Sequence, residues 1–222
     1  MRKVFTSIIY NCSQIVICPS KEIQNDLRNN FLVNKNKLKF IPNLFEKKII
    51  NRNQNKINDN KNLISLGRLE KQKDYIFMIK AFHRSLKIKK NRLIIYGNGS
   101  QKQKIKNLIK KLSIEKYVKI LPFQKNIDKH LINSKAILLT SNYEGMPNVV
   151  IEATSYGIKC LLTNFPGSSY FKSYKNVKIV KKNLKEYSKE ISKLNSKRIL
   201  TSIFLDDFSK GKSQKKFLNC FK

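Results

Sequence analysis

The chain has little of what a metal centre, a covalent nucleophile or a membrane span requires. Its four cysteines, Cys12, Cys18, Cys160 and Cys220, show no paired ligand spacing, and only His83 and His130 accompany them. A structural zinc site needs four such ligands at close intervals, so none is expected. The cysteines read as reduced and mostly buried, in a cytosolic setting. His83 follows Phe82 in a helical pattern and His130 lies in a lysine-rich one. Both read as surface residues, with no Ser/His/Asp or Cys/His catalytic pairing. No apolar run approaches the ~18 residues of a membrane helix. The start, MRKVFTSIIYNCSQIVICPS, is basic, but Thr, Ser, Asn and Gln break its apolar runs. That argues against a signal peptide.

Acidic residues are also scarce: 14 against 47 basic ones, for a net charge of +33 over 222 residues. Such a surface attracts nucleic acid, anionic membrane or phosphate-bearing substrates. Of the bases, 40 are Lys and seven are Arg. Phosphate and nucleic-acid sites favour the planar Arg fork, and these lysines are scattered among Asn and Ile in almost every segment. The charge therefore reads first as a compositional habit, then as an affinity for membrane surface, and last as nucleic-acid binding. Apolar residues make up 41% of the chain, enough for one buried core of ordinary size.

What is present alternates. IVICPS reads as a strand, KEIQNDLRNNFL as a helix and KLKFIPN as a second strand stopped by Pro42. A polar stretch, KKIINRNQNKINDNKN, reads as a linker. Strands then follow at NLISLG, RLIIYGNG, YVKILPF, KAILLTS, IKCLLTN and NVKIV. Between them lie amphipathic helices carrying Ile76, Ile79, Phe82 and Leu86, or Ile105, Leu108, Ile109 and Leu112, on one side. NIDKHLINS, PNVVIEATSYG and NLKEYSKEISKL read as further helices, with Gly157 as a C-cap. Strands as wholly apolar as LIIYG and AILLT imply a parallel sheet covered on both faces. The predicted fold class is α/β, a doubly wound parallel sheet. The expected organisation is 1–45 as an end piece, 46–60 as linker, 61–205 as the Rossmann-like domain and 206–222 as a C-terminal helix.

In such folds ligands bind beyond the carboxyl ends of the strands. Three ends carry candidate residues. In GRLEKQKD, Gly67 gives a tight exit, and Arg68 and Lys73 flank a helix start, as a diphosphate site would require. They equally fit two surface charges among many. In YGNGSQ, Gly97, Asn98 and Gly99 allow close backbone approach, to a ligand or merely between loops. The run is not G-x-G-x-x-G, since Lys102 stands at its end, and no Walker A motif occurs. In SNYEGMPNVVIEATSYG, Gly145 and Pro147 start a helix in its first turn, and the N–H groups near Asn148 and Val149 form an anion hole. Glu144 stands beside that end. Glu152 lies inside an apolar helix, where a carboxylate needs hydrogen-bond donors. Vicinal ribose hydroxyls would supply them, and a lysine partner on an ordinary helix would too.

Taken in order and spacing, GRLEKQKD, IIYGNG, VKILPFQKN and SNYEGMPNVVIEATSYG resemble the second domain of family-4 retaining glycosyltransferases, of the GT-B fold. Glu144 and Glu152 form the family's Glu-x7-Glu pattern. The version with Gly-Met-Pro-Asn-Val is similar to that of bacterial enzymes building O-antigen, capsule or other lipid-linked glycans. The likeness is strong over about 60–170 and looser elsewhere. It implies that Arg68 and Lys73 hold the donor diphosphate and stabilise the leaving nucleotide, and that Glu144 contacts hydroxyls of the donor sugar. It further implies that Gly145, Met146, Pro147, Asn148 and Val149 surround sugar and phosphate, that Glu152 binds ribose, and that Phe123 meets the base. Gly67, Gly97, Asn98 and Gly99 belong to the same donor site. Family members need no metal; the nucleotide sugar, UDP-linked here by expectation, is a substrate and no cofactor is implied.

The likeness has departures. Leu44 stands where the family commonly has Gly after Ile-Pro-Asn. Residues 1–45 resemble only the last elements of the first domain, which in the family carries the acceptor site, a glycine-rich loop and a histidine near the transferring sugar. The chain is thus expected to be a truncated or split form. The expected partners are a nucleotide-sugar donor, a lipid-linked glycan acceptor, a subunit supplying the first domain, and the anionic inner face of the cytoplasmic membrane. The alternatives are a non-catalytic nucleotide-sugar-binding subunit and a basic nucleic-acid-binding protein, which would leave the glutamate pair unexplained.

Overall fold

The computed structural model describes residues 2–43, 62–199 and 210–220. The expected linker, 46–60, lies outside the described residues. A small N-terminal unit comprises α1 (Arg2–Cys12), β1 (Val16–Cys18), α2 (Lys21–Asn30) and β2 (Leu38–Phe40), with β1 and β2 paired in parallel. Val16, Cys18, Leu27, Val33 and Leu38 form its core. Helix α2 starts at Ser20, whose hydroxyl accepts from the Ile23 N–H at 3.2 Å.

The sequence reading assigns no element to α1. Its polar residues face the fold: the Ser7 hydroxyl donates to the Phe31 carbonyl and the Asn11 amide to that of Leu32. Val4, Phe5, Ile8 and Ile9 point outward. Apolar periodicity expects the reverse, which is why it misses this helix.

The larger unit is a six-stranded parallel sheet ordered β5-β4-β3-β6-β7-β8. Its strands are β3 (Asn62–Leu66), β4 (Leu93–Tyr96), β5 (Val118–Leu121), β6 (Ser134–Leu139), β7 (Lys159–Thr163) and β8 (Val177–Val180). The helices are α3 (Tyr75–Ser85), α4 (Lys102–Lys111), α5 (Asp128–Ile132), α6 (Asn148–Ser155) and α7 (Leu184–Lys193). A last helix, α8 (Lys210–Leu218), follows as expected for the basic tail.

Both faces are buried, and successive strand residues feed opposite cores. Leu63, Leu93, Ile95, Ala136, Leu138 and Leu161 pack under α3, α4 and α7. Ile64, Tyr96, Ile137, Leu139 and Leu162 pack under α5, α6 and the 168–174 segment. Tyr187 of α7 is fully buried, and its hydroxyl donates to the Leu161 carbonyl at 2.8 Å. Gly157 has φ +66 and ends α6 as expected. The Ile158 N–H bonds the Ala153 carbonyl and the Gly157 N–H that of Thr154, the paired bonds of a Schellman stop.

Two expectations need correction. Of the cysteines, Cys18 and Cys160 are buried, but Cys12 is exposed and Cys220 partly so. His130 is no plain surface residue: its Nδ1 lies 3.0 Å from the Tyr96 hydroxyl, with the rings 4.6 Å apart. Among the described residues no helix is long and apolar enough to cross a membrane.

Burial pushes the Cys160 thiol up to about 12. Since the thiolate is the reactive form, alkylation of the native protein at pH 8 should modify Cys12 and spare Cys160 until denaturant is added. Mass spectrometry of the digested peptides reads the order; early modification of Cys160 would contradict this packing.

Candidate functional site

Strand β3 is the branch point of the sheet. From it the chain winds one way through β4 and β5, then returns to place β6 on its other side. Ligand sites in open parallel sheets form at such a reversal, because the loops leaving the two central strands diverge and open a crevice. Here those loops are 67–74, after β3, and 140–147, after β6. They carry Lys73 and Glu144.

The two side chains meet. Lys73 Nζ forms an ion pair with Glu144 Oε1, with the side chains only 16% and 11% exposed. The Ser141 hydroxyl donates to the same carboxylate oxygen at 2.8 Å. Around the pair the loops are laced together. The Thr140 hydroxyl bonds the carbonyls of Lys73 and Asp74, the Gln72 amide donates to the Tyr143 carbonyl, and the Asn142 N–H to that of Gln72. Lys182 reaches in from the far side to pair with Asp74 at 2.5 Å. Asp74 itself takes φ +44 and caps α3 through the Phe77 N–H. Lys73 is therefore not one more surface lysine. Its ammonium is fixed in a partly dry crevice, where a charge acts more strongly than in water.

Gly67 leaves β3 at φ +150, and a Cβ there would touch Lys73 Cε at 3.2 Å. Glycine thus makes room for the lysine stem. Arg68 is exposed and close enough to Glu70 to favour its charged form, although hydrogen bonds from Ser100 do more to lower the Glu70 carboxyl. The structure does not draw Arg68 into the Lys73–Glu144 contact.

Gly97 and Gly99 have a packing reason of their own. A Cβ on Gly97 would run into the Gly67 carbonyl, and one on Gly99 would lie 2.6–2.7 Å from the Leu69 backbone. The two turns join through Leu69 N–H to Asn98 carbonyl and Gln101 N–H to Leu69 carbonyl, both 2.8 Å. Asn98 is exposed and accepts from Lys102. Of the two readings of YGNGSQ, close approach between loops is the one with contacts to support it.

Helix α6 begins at Asn148, one position later than expected, with Pro147 as its N-cap residue instead of in its first turn. The N–H groups of Asn148 and Val149 have no acceptor within the helix, which leaves the positive end of its dipole beside the crevice. Met146 is buried in the core, so only its backbone faces the loop. Gly145 admits Ile23 of the N-terminal unit, which a Cβ would displace. Glu152, one turn along, is half-buried. Its neighbour Tyr156 donates to Asp128 at 2.8 Å, and burial, Asp128 and Glu152 together raise that phenol. Phe123, after β5, is 65% exposed and so has a free ring face.

A family model described as glycosyl transferases group 1 matches residues 46–210. The chain belongs to this family. A relative described as an uncharacterized glycosyltransferase of Methanocaldococcus jannaschii is 33% identical over 165 residues, 70% of this chain and 41% of that protein. The N-acetylgalactosamine-N,N'-diacetylbacillosaminyl-diphospho-undecaprenol 4-alpha-N-acetylgalactosaminyltransferase of Campylobacter jejuni is 31% identical over 167 residues, 72% of this chain and 44% of that one. A TarM mutant of S. aureus, solved with Fondaparinux, alpha-GlcNAc-glycerol and UDP, shares the fold at TM-score 0.85 and 22% identity. That match covers 98% of this chain and 46% of the TarM chain. The chain thus spans less than half the length of these relatives. Its doubly wound sheet is the Rossmann-like half of the GT-B glycosyltransferase fold.

Sequence reasoning missed two residues of this candidate site. Ser141 had only a weak signal: it stands three residues before Glu144, near enough for its hydroxyl to reach the carboxylate once the loop turns back. Asn43 had none, since its partners Met146 and Asn148 lie 103 and 105 residues away.

Two stability outcomes follow from these contacts. Lys73→Met strands a largely buried carboxylate and should cost about 3 kcal/mol in urea unfolding, while Lys73→Met/Glu144→Gln recovers most of it. Gly97→Ala should cost about 1–3 kcal/mol or more in the same assay; a neutral result would refute the loop–loop contact.

Proposed function

We propose that this chain is the donor-binding part of a retaining glycosyltransferase that takes a UDP-linked sugar and transfers it to a lipid-linked or polysaccharide acceptor in cell-surface polysaccharide synthesis. The observation that carries this reading is the meeting of Lys73 and Glu144 across the sheet's reversal point, beside the amino end of α6. A diphosphate needs fixed cations and N–H donors. A sugar needs an acceptor for its hydroxyls a few ångströms away. This crevice offers both.

In this reading Lys73 and Arg68 hold the diphosphate, with the N–H groups of Asn148 and Val149. As the bond from the sugar to the diphosphate breaks, negative charge grows on the departing nucleotide. Preorganised cations and N–H groups stabilise that charge without having to reorganise. Glu144, steadied by Ser141, accepts from hydroxyls of the transferring sugar. Glu152 accepts from the ribose, and the exposed Phe123 ring stacks on the base. Gly67, Gly97, Asn98 and Gly99 shape the turns from which these groups project. The transfer is proposed to need no metal, the cations and helix end serving in its place. The acceptor side is proposed to come from a first domain, in the same protein or in a partner subunit. The lipid-linked acceptor is supported by the diphospho-undecaprenol in the name of the C. jejuni relative. A lipid acceptor and a net charge of +33 together favour work at the anionic inner face of the cytoplasmic membrane.

Calorimetric titration with UDP tests the donor site. The native protein should give saturable heat, and Glu152→Ala should bind about tenfold more weakly. No heat from the native protein would sink the donor reading; unchanged binding by the variant would remove Glu152 from the ribose.

A further inference from the structure

Asn43 closes the N-terminal unit and touches the start of α6. Its Nδ2 donates to the Met146 carbonyl at 3.2 Å and to Asn148 Oδ1 at 2.6 Å. The two ends of an amide look alike, so their identity is assigned from their partners. Here the partners leave one solution. The Met146 carbonyl can only accept, so the Asn43 atom facing it is the NH2 group. The Asn148 atom facing that same NH2 is then its oxygen. The Asn148 NH2 group is left uncommitted among the described residues, and Asn148 is exposed at the first position of α6.

The contact has support from its surroundings. Ile23 seats against Gly145, the Ser169 hydroxyl bonds Glu22, and Phe40 lies 6.2 Å from the Tyr170 ring. Asn43 is thus held against the loop by its own unit rather than by chance of a surface rotamer. A helix start already favours anions through its N–H groups and dipole. A side-chain NH2 turned outward at the same place adds a donor, whereas an outward oxygen would oppose a phosphate.

We propose that Asn43 is a positioning residue that orients the Asn148 amide, so that Asn148 presents a hydrogen-bond donor to an oxygen of the nucleotide's diphosphate. This rests on the donor reading above and extends it to two side chains that act as a pair. It also makes the N-terminal unit part of the donor site, although that unit contributes no group that touches the donor.

The test is a double-mutant cycle read by UDP titration, with thermal melts to confirm folding. Asn43→Ala should weaken UDP about tenfold, and Asn148→Ala by a similar factor. The double variant should be no weaker than Asn148→Ala alone, because Asn43 acts through Asn148. If Asn43 only braced the loop, its loss would cost the same in both backgrounds, and that additive result overturns the proposal. Asn148→Asp provides a second arm: it still accepts from Asn43 but turns an anionic oxygen outward. It should bind UDP more weakly than Asn148→Ala, and equal or tighter binding also overturns the proposal. Native protein that fails to bind UDP would instead overturn the donor reading, and this inference with it.

Discussion

The parallel pairing of β3 with β6 is the constraint on which the site depends. Those two strands are neighbours in space but are separated in the chain by β4 and β5. Their exits diverge, and the gap between them must be filled by the loops themselves. The Thr140, Gln72 and Asn142 hydrogen bonds fill it, and the Lys73–Glu144 pair is the charged centre of that lacing. Shift β6 by one residue against β3 and its side chains would exchange cores. The register that builds the core therefore also sets the site.

Charge gives the crevice its chemistry. In a chain with 47 basic residues, most lysines are solvated and interchangeable. Lys73 differs because its carboxylate partner, its Gly67 floor and its low exposure hold it in one place. The acids are few, so their positions carry more weight. Glu70 holds the Ser100 end of the next turn, Asp74 caps α3, and Glu144 holds Lys73. Three of the scarce carboxylates thus shape this one rim of the sheet.

Much of the fold was legible because apolar strands and amphipathic helices leave different periods. All six strands of the larger sheet fell where short, mainly apolar runs stood between turn residues. Helix α1 was not legible, because its apolar side faces outward and its polar side makes the contacts. His130 was misplaced for a similar reason: its lysine neighbours look solvated, yet Tyr96 from another element covers it. The glycines of YGNG stood out in the sequence, but whether they served a ligand or a loop depended on where the Gly67–Leu69 backbone runs.

By itself the sequence determined the α/β class, the strand and helix order of the larger sheet, and the residue types available at each strand end. Those follow from local periodicity and turn chemistry, which act over a few residues. Only the tertiary structure decided that Lys73 meets Glu144, that Arg68 stays outside that contact, and that Asn43 reaches the start of α6. These are meetings across 71 to 105 residues of chain, set by sheet order and loop packing. No local pattern encodes such distances, because they are fixed only when the whole sheet has assembled around its two cores.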